Sequence, residues 1–163
     1  MMAKKKSGNG NNFPKISYMF QSLHEAVYND VFDDVGATRF HKTNSDIKSN
    51  NVWSSNIMGK FECPNSKCET SRWTSKHVAI KIRGYPNNAY NAVVFNQRCQ
   101  SCNNLGNMIV DEDSYVERVG YRLRRWAGVE VERPVYGMRR DRPPHRRDLC
   151  EGCKAGCCRE DAD

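Results

Sequence analysis

The chain contains eight cysteines, and their placement limits what it can fold into more than any other feature. Two stand in Cys63-Pro64-Asn65-Ser66-Lys67-Cys68 and two in Gln97-Arg98-Cys99-Gln100-Ser101-Cys102, while Cys150, Cys153, Cys157 and Cys158 lie together further on. Two thiolates on a tight turn are half of a tetrahedral zinc site, and two such turns brought face to face complete it. Any fold must therefore return residues 97–102 to residues 63–68 across the 30 residues that separate Cys68 from Cys99.

Cysteines in this number fit either a disulfide framework or metal sites, and the rest of the sequence separates the two. Met1-Met2-Ala3-Lys4-Lys5-Lys6 is a basic run with no apolar core behind it, unlike a secretory signal, and no apolar run approaches the length that spans a bilayer. The expectation is a soluble intracellular protein, cytoplasmic or nuclear and not secreted, with reduced thiols. At 163 residues and 38% apolar content there is room for one compact domain. A mean hydropathy of −0.82 implies a thin core, which metal cross-links would offset.

Residues 1–12, rich in Lys, Gly and Asn, read as a disordered basic tail. Within 13–40 the apolar residues Ile16, Met19, Phe20, Leu23, Val27 and Val31 recur at helical spacing, with Pro14 at the start and Gly36 as the stop. Residues 41–55 have the composition of a polar linker, with Trp53 expected to dock onto the body that follows. His77 to Gly84 alternates, Val78, Ile80 and Ile82 against Ala79, Lys81 and Arg83, and so predicts a half-buried strand. The turn residues Pro86-Asn87-Asn88 and the run from Tyr90 to Gln97 complete a hairpin that carries Cys99 back to the first pair. Ser114-Tyr115-Val116-Glu117 has the form of a capping box opening a second helix, near 114–127. The fold class that results is α+β: a small zinc-stabilised antiparallel sheet of ribbon-like hairpins, an N-terminal amphipathic helix and that second helix. Residues 56–158 form the metal-binding domain, and 159–163 an acidic tail.

Cys63, Cys68, Cys99 and Cys102 form a closed four-thiolate site, which is structural because no coordination position is left to activate water. His145, Cys150, Cys153 and one of the adjacent Cys157 and Cys158 have the makings of a second, giving about two zinc ions per chain. Spacing alone leaves open a partition in which Cys150 and Cys153 join one of the earlier pairs.

From about Asn56 to Cys158 the chain resembles the three-CxxC zinc-binding domain of fungal proteins and of the vertebrate receptor-transporting proteins, and most closely the fungal members. The resemblance is carried by Asn56-Ile57-Met58-Gly59-Lys60-Phe61, Trp73-Thr74-Ser75-Lys76, Gln97-Arg98-Cys99-Gln100-Ser101-Cys102, Tyr115-Val116-Glu117-Arg118-Val119 and Cys150-Glu151-Gly152-Cys153. It implies that Cys158 is the final ligand, with Cys157 an extra thiol, and that His145 is a ligand. The first pair departs from the family pattern, with four residues between its cysteines instead of two. The vertebrate relatives escort receptors and carry a membrane anchor after the domain. This sequence stops at Asp163, five residues after Cys158, which sets the expectation against an escort role.

The formal charge is +7, and ten arginines fall between Arg118 and Arg147 against three acids. Two functions follow as expectations. The first is a non-enzymatic zinc module offering a protein-interaction or chaperone-like surface to an unidentified protein partner. The alternative is binding of RNA or single-stranded nucleic acid through segment 118–147, with Arg118, Arg122, Arg125, Arg139 and Arg140 as contacts. No catalytic residues or small-molecule substrate are expected, since the histidine, glutamate and cysteine-pair signature of a zinc deaminase is missing.

Overall fold

In a computed structural model, which describes residues 13–132 and 145–158, the chain is built around one six-stranded sheet. Strands β3 (Asn51–Glu62) and β4 (Arg72–Tyr85) form a long antiparallel hairpin whose loop carries Cys63 and Cys68. β4 turns into β5 (Ala89–Phe95) through Asn87 and Asn88, at φ 65° and 60°, the left-handed pair that matches the twist of a tight hairpin. β6 (Asn107–Val110) lies on the far side of β3. The outer edge of β5 is covered by two short strands, β1 (Ser17–Tyr18), antiparallel, and β2 (Arg39–Phe40), parallel.

Between the edge strands runs helix α1 (His24–Val35), preceded by a 3-10 turn at Gln21–Leu23 and ended at Gly36, φ 97°. The helix is thus shorter than the 13–40 segment suggests. Asn96 explains its late start: its backbone amide donates to the Ile16 carbonyl and its side chain to the Lys15 carbonyl, each at 2.8 Å, drawing residues 15–18 into an extended edge strand. An open sheet edge outcompetes the helical preference of the same residues.

Helix α2 (Glu112–Trp126) is capped three residues ahead of the expected serine cap. Asp111 is the N-cap and accepts the Ser114 amide at 2.9 Å. Ser114 does other work: its hydroxyl donates to the Asp111 carbonyl and accepts the amide of Met58 at 3.1 Å. Met58 lies where β3 slips register against β4, and its carbonyl accepts the Asp111 amide at 3.1 Å. Both backbone groups left over by the bulge are therefore satisfied by the start of α2.

The two sheet faces have different covers. Ile57, Phe61, Val78, Ile80, Ile82, Ala92 and Val94 face α1 and α2, packing on Leu23, Val27, Tyr115, Val119 and Leu123 in the main core. Residues 41–50 lie across part of the opposite face, so the expected linker 41–55 is a polar strap followed by the first residues of β3. Asp46 pairs with Arg83 at 2.6 Å and Lys81 at 3.0 Å, Asn44 accepts from Arg83 at 2.8 Å, and the Asn91 amide donates to the carbonyls of His41 and Thr43. His41 stacks on Tyr85 at 3.7 Å. The strap is polar because the strand face beneath it is polar, and β4 is accordingly buried on both sides from His77 to Tyr85, with only Lys81 in part exposed.

Candidate metal centres

The first centre joins the β3–β4 loop to the turn after β5. In the loop, Asn65 closes the four-residue insert: its carbonyl accepts the Cys68 amide at 3.0 Å and its side chain the Lys67 amide at 3.1 Å. The departure from a two-residue spacing is thereby absorbed in a tight turn. In the second turn Cys99 and Asn104 share a hydrogen bond of 2.8 Å, and Asn103 takes φ 66°. Thr70 and Ser101 hydroxyls, 2.6 Å apart, latch the turns together.

The four sulfur atoms of Cys63, Cys68, Cys99 and Cys102 lie within 4.8 Å of one another, with Cys63 to Cys102 at 3.5 Å and Cys68 to Cys99 at 3.6 Å. A tetrahedron with zinc–sulfur bonds of about 2.3 Å has edges of about 3.8 Å, so the cage is the size a zinc ion needs. All eight cysteines are unpaired thiols. Donors already face the sulfurs: the Ser101 amide reaches Cys99 at 3.4 Å and the Asn104 side chain reaches Cys102 at 3.3 Å. Burial raises the Cys99 thiol, but amides of Cys102 and Ser101 and the facing thiols outweigh it and bring it to about 7. Burial pushes Cys63 up to about 12 and also raises Cys68. Packed thiols divide in this way because they cannot all ionise side by side, and a divalent cation removes that obstacle.

The second centre is drawn from one short segment. His145 Nε2 lies 3.3 Å from Cys153 Sγ and 3.5 Å from Cys158 Sγ, and these three with Cys150 fall within 4.8 Å of one another. Mixed nitrogen and sulfur ligands at zinc stand about 3.6 Å apart, so this set fits zinc as well. Cys150 and Cys153 group with His145 and not with the earlier pairs. Of the adjacent thiols, Cys158 faces the cluster, while Cys157 turns toward the Ala155 carbonyl at 3.6 Å. A hydrogen bond from Cys158 holds Cys150 down at about 4, and Cys158 itself is pushed far above the ordinary thiol range by Cys150.

This segment, with the 3-10 turn Arg147–Leu149 and the helical turn α3 (Glu151–Lys154), sits on the same sheet face as the strap, over the part the strap leaves open. Cys150 packs with Ala79, Val93 and Phe95. Gly152 permits the approach: a Cβ there would stand 2.3 Å from the Ala79 Cβ. Sequence reasoning missed two neighbours of the ligands. His77 stacks on His145 at 4.0 Å, and Asn56 Oδ1 lies 3.9 Å from Cys158 Sγ. The alternation of β4 does place His77 on the same face as Ala79, but nothing in the sequence says what covers that face.

The arginine face expected on α2 is not a surface. Arg118 is 2% and Arg122 7% exposed, because their i, i+4 spacing turns both inward; the Arg122 guanidinium lies 4.0 Å over the Trp53 ring. Arg124 is held by Asp30 and Asp34 at 3.0 and 2.7 Å, and Arg125 is exposed. Arg139 and Arg140 lie outside the described residues.

A helix-and-sheet domain with one four-thiolate group and one three-thiolate, one-histidine group, each able to hold a zinc ion, defines a zinc-stabilised domain. The chain matches the model of the 3CxxC zinc-ribbon family, described as a zinc-binding domain, over residues 56–156, and it belongs to that family. No curated protein and no solved structure matches it. Among the described residues, no helix is long and apolar enough to cross a membrane.

Proposed function

We propose that this protein is a non-enzymatic zinc module whose two metal sites hold together a surface for a protein partner. The observation that carries the reading is that each group supplies four protein ligands, which closes a tetrahedral site and leaves no position for substrate or water. The cleft of about 510 Å³ between α1 and α2 adds support, since charged side chains such as Asp113, Glu117 and Arg124 line it and no thiol or histidine of either group does. Eight unpaired thiols suit a reducing compartment, which favours an intracellular place of work. The motif-level likeness to fungal members brings no partner with it. The test is metal analysis joined to thermal melting and to affinity purification from the native cell. Two zinc ions per chain, a large loss of Tm on chelation and a partner captured only by the zinc-loaded protein are expected. A metal-free protein with an unchanged melting curve refutes the reading.

A further inference from the structure

The two metal sites meet on one short piece of backbone. Residues 96–98 lead from β5 into Cys99, residues 149–151 lead through Cys150 toward Cys153, and the two pieces pair as strands do. The Arg98 amide donates to the Leu149 carbonyl at 2.8 Å, the Glu151 amide donates to the Asn96 carbonyl at 3.1 Å, and Gln97 stands opposite Cys150. A ligand of the second site is thus registered against the backbone that presents a ligand of the first.

Side chains repeat the link. Arg98 Nε meets Glu151 Oε2 at 2.7 Å, with the Glu151 side chain only 6% exposed. The same guanidinium donates to the Asn103 carbonyl at 3.0 Å, inside the turn that carries Cys99 and Cys102. One arginine therefore holds the turn of one site and the carboxylate between two ligands of the other. The two sites draw on different supports. The first rests on the β3–β4 hairpin and the β5–β6 connection, whereas the second takes all its ligands from residues 145–158, whose strand-like pairing among the described residues is this bridge.

We infer that zinc binding at the two sites is coupled through the 96–98/149–151 bridge, with Arg98 and Glu151 as positioning residues. Zinc in either site fixes the backbone that presents ligands of the other, so each site binds more tightly when the other is filled, by the same factor in both directions. The inference requires both groups to hold zinc and does not depend on a partner.

The experiment measures zinc affinity of the four-thiolate site by competition with a chromogenic chelator, in the wild type, Cys158→Ser, Glu151→Gln and the double variant. Emptying the second site with Cys158→Ser is expected to weaken the first about tenfold, within the usual range of coupling between sites, and by less than twofold in the Glu151→Gln background. No change on Cys158→Ser, or an equal loss in both backgrounds, overturns the inference. Should Cys158→Ser fail to fold, native mass spectrometry at one zinc equivalent replaces it, since Glu151→Gln keeps all eight ligands. The singly loaded fraction is expected to rise above that of the wild type, and an unchanged fraction overturns the coupling. A wild type that holds fewer than two zinc ions overturns both the coupling and the metal assignment, whereas two zinc ions without coupling leaves the proposed function standing.

Discussion

Gly152→Ala is the most direct probe of how the second metal site is mounted on the sheet. The added methyl would stand 2.3 Å from the Ala79 Cβ, where real Cβ atoms keep at least 3.0 Å and rarely come under 3.4 Å. The backbones must separate by about 1 Å, because both atoms are fixed to main chain and neither can rotate away. Overpacking of this kind costs about 1–3 kcal/mol, and in a domain of this size each kcal/mol lowers Tm by about 2–4 °C, so a loss of roughly 2–12 °C is expected. The metal site is less tolerant than the core, since ligand distances hold to about 0.2 Å and Cys150 and Cys153 flank the substituted residue. Zinc content should therefore fall from two per chain toward one, with cobalt spectra retaining the four-thiolate signature and losing the mixed one. Ala79→Gly in the same chain removes the facing methyl and should restore the second zinc, even though glycine itself weakens a strand by about 1 kcal/mol. Two zinc ions and an unchanged Tm in Gly152→Ala would refute the packing argument.

Cys157→Ser should leave two zinc ions and an unchanged melting curve, whereas Cys158→Ser should lose one ion, because only Cys158 faces the cluster; metal analysis of the pair checks this. Ser114→Ala should destabilise the domain by about 1–3 kcal/mol in urea melts, since it strips the Met58 amide of its acceptor at the β3 bulge; a change below 0.5 kcal/mol would mean that water replaces the hydroxyl. Zinc binding should release protons and strengthen as pH rises from about 6 to 8, because the raised Cys63 and Cys68 thiols hold protons at neutral pH that the metal must displace. Calorimetry in buffers of different ionisation enthalpy measures that release, and binding that shows none would contradict it.

The cysteine pairs were legible in the sequence because metal turns are local, a thiol, a few residues and a second thiol, whereas His145 and the choice of Cys158 over Cys157 came from the family resemblance, and spacing left open which pairs share a site. The β4–β5 hairpin was legible for the same reason, through the alternation of its first strand and the Asn87-Asn88 turn. What escaped notice depended on distant partners. Ser114 and Glu117 made a plausible capping box, but the serine hydroxyl is used 56 residues away on Met58. The helical spacing from Ile16 to Phe20 was genuine, yet Asn96 holds those residues extended against β5. Arg118 and Arg122 looked like a basic face because charge alone cannot show that Trp53 lies beneath one of them.

The low mean hydropathy has its explanation in the outer face of the sheet. A sheet with two apolar faces needs two apolar layers, and the described residues supply one helical layer, formed by α1 and α2. The other face is closed over Ala79, Val93 and Phe95 by the second metal segment, and over Lys81, Arg83 and Asn91 by a polar strap whose carbonyls and carboxylate match the groups below. Strap and metal segment both lack the apolar area to hold themselves down, and the Asp46 ion pairs are half exposed and worth little each. Zinc in the second site therefore fixes half of an entire layer, and its removal should uncover Ala79, Val93 and Phe95 to water while the helix-covered face stays packed. Amide exchange on the apo-second-site variant Cys158→Ser should accordingly rise at residues 77–80 and 93–96 before it rises in α2, and uniform acceleration across the whole sheet would show that the two layers are not separable.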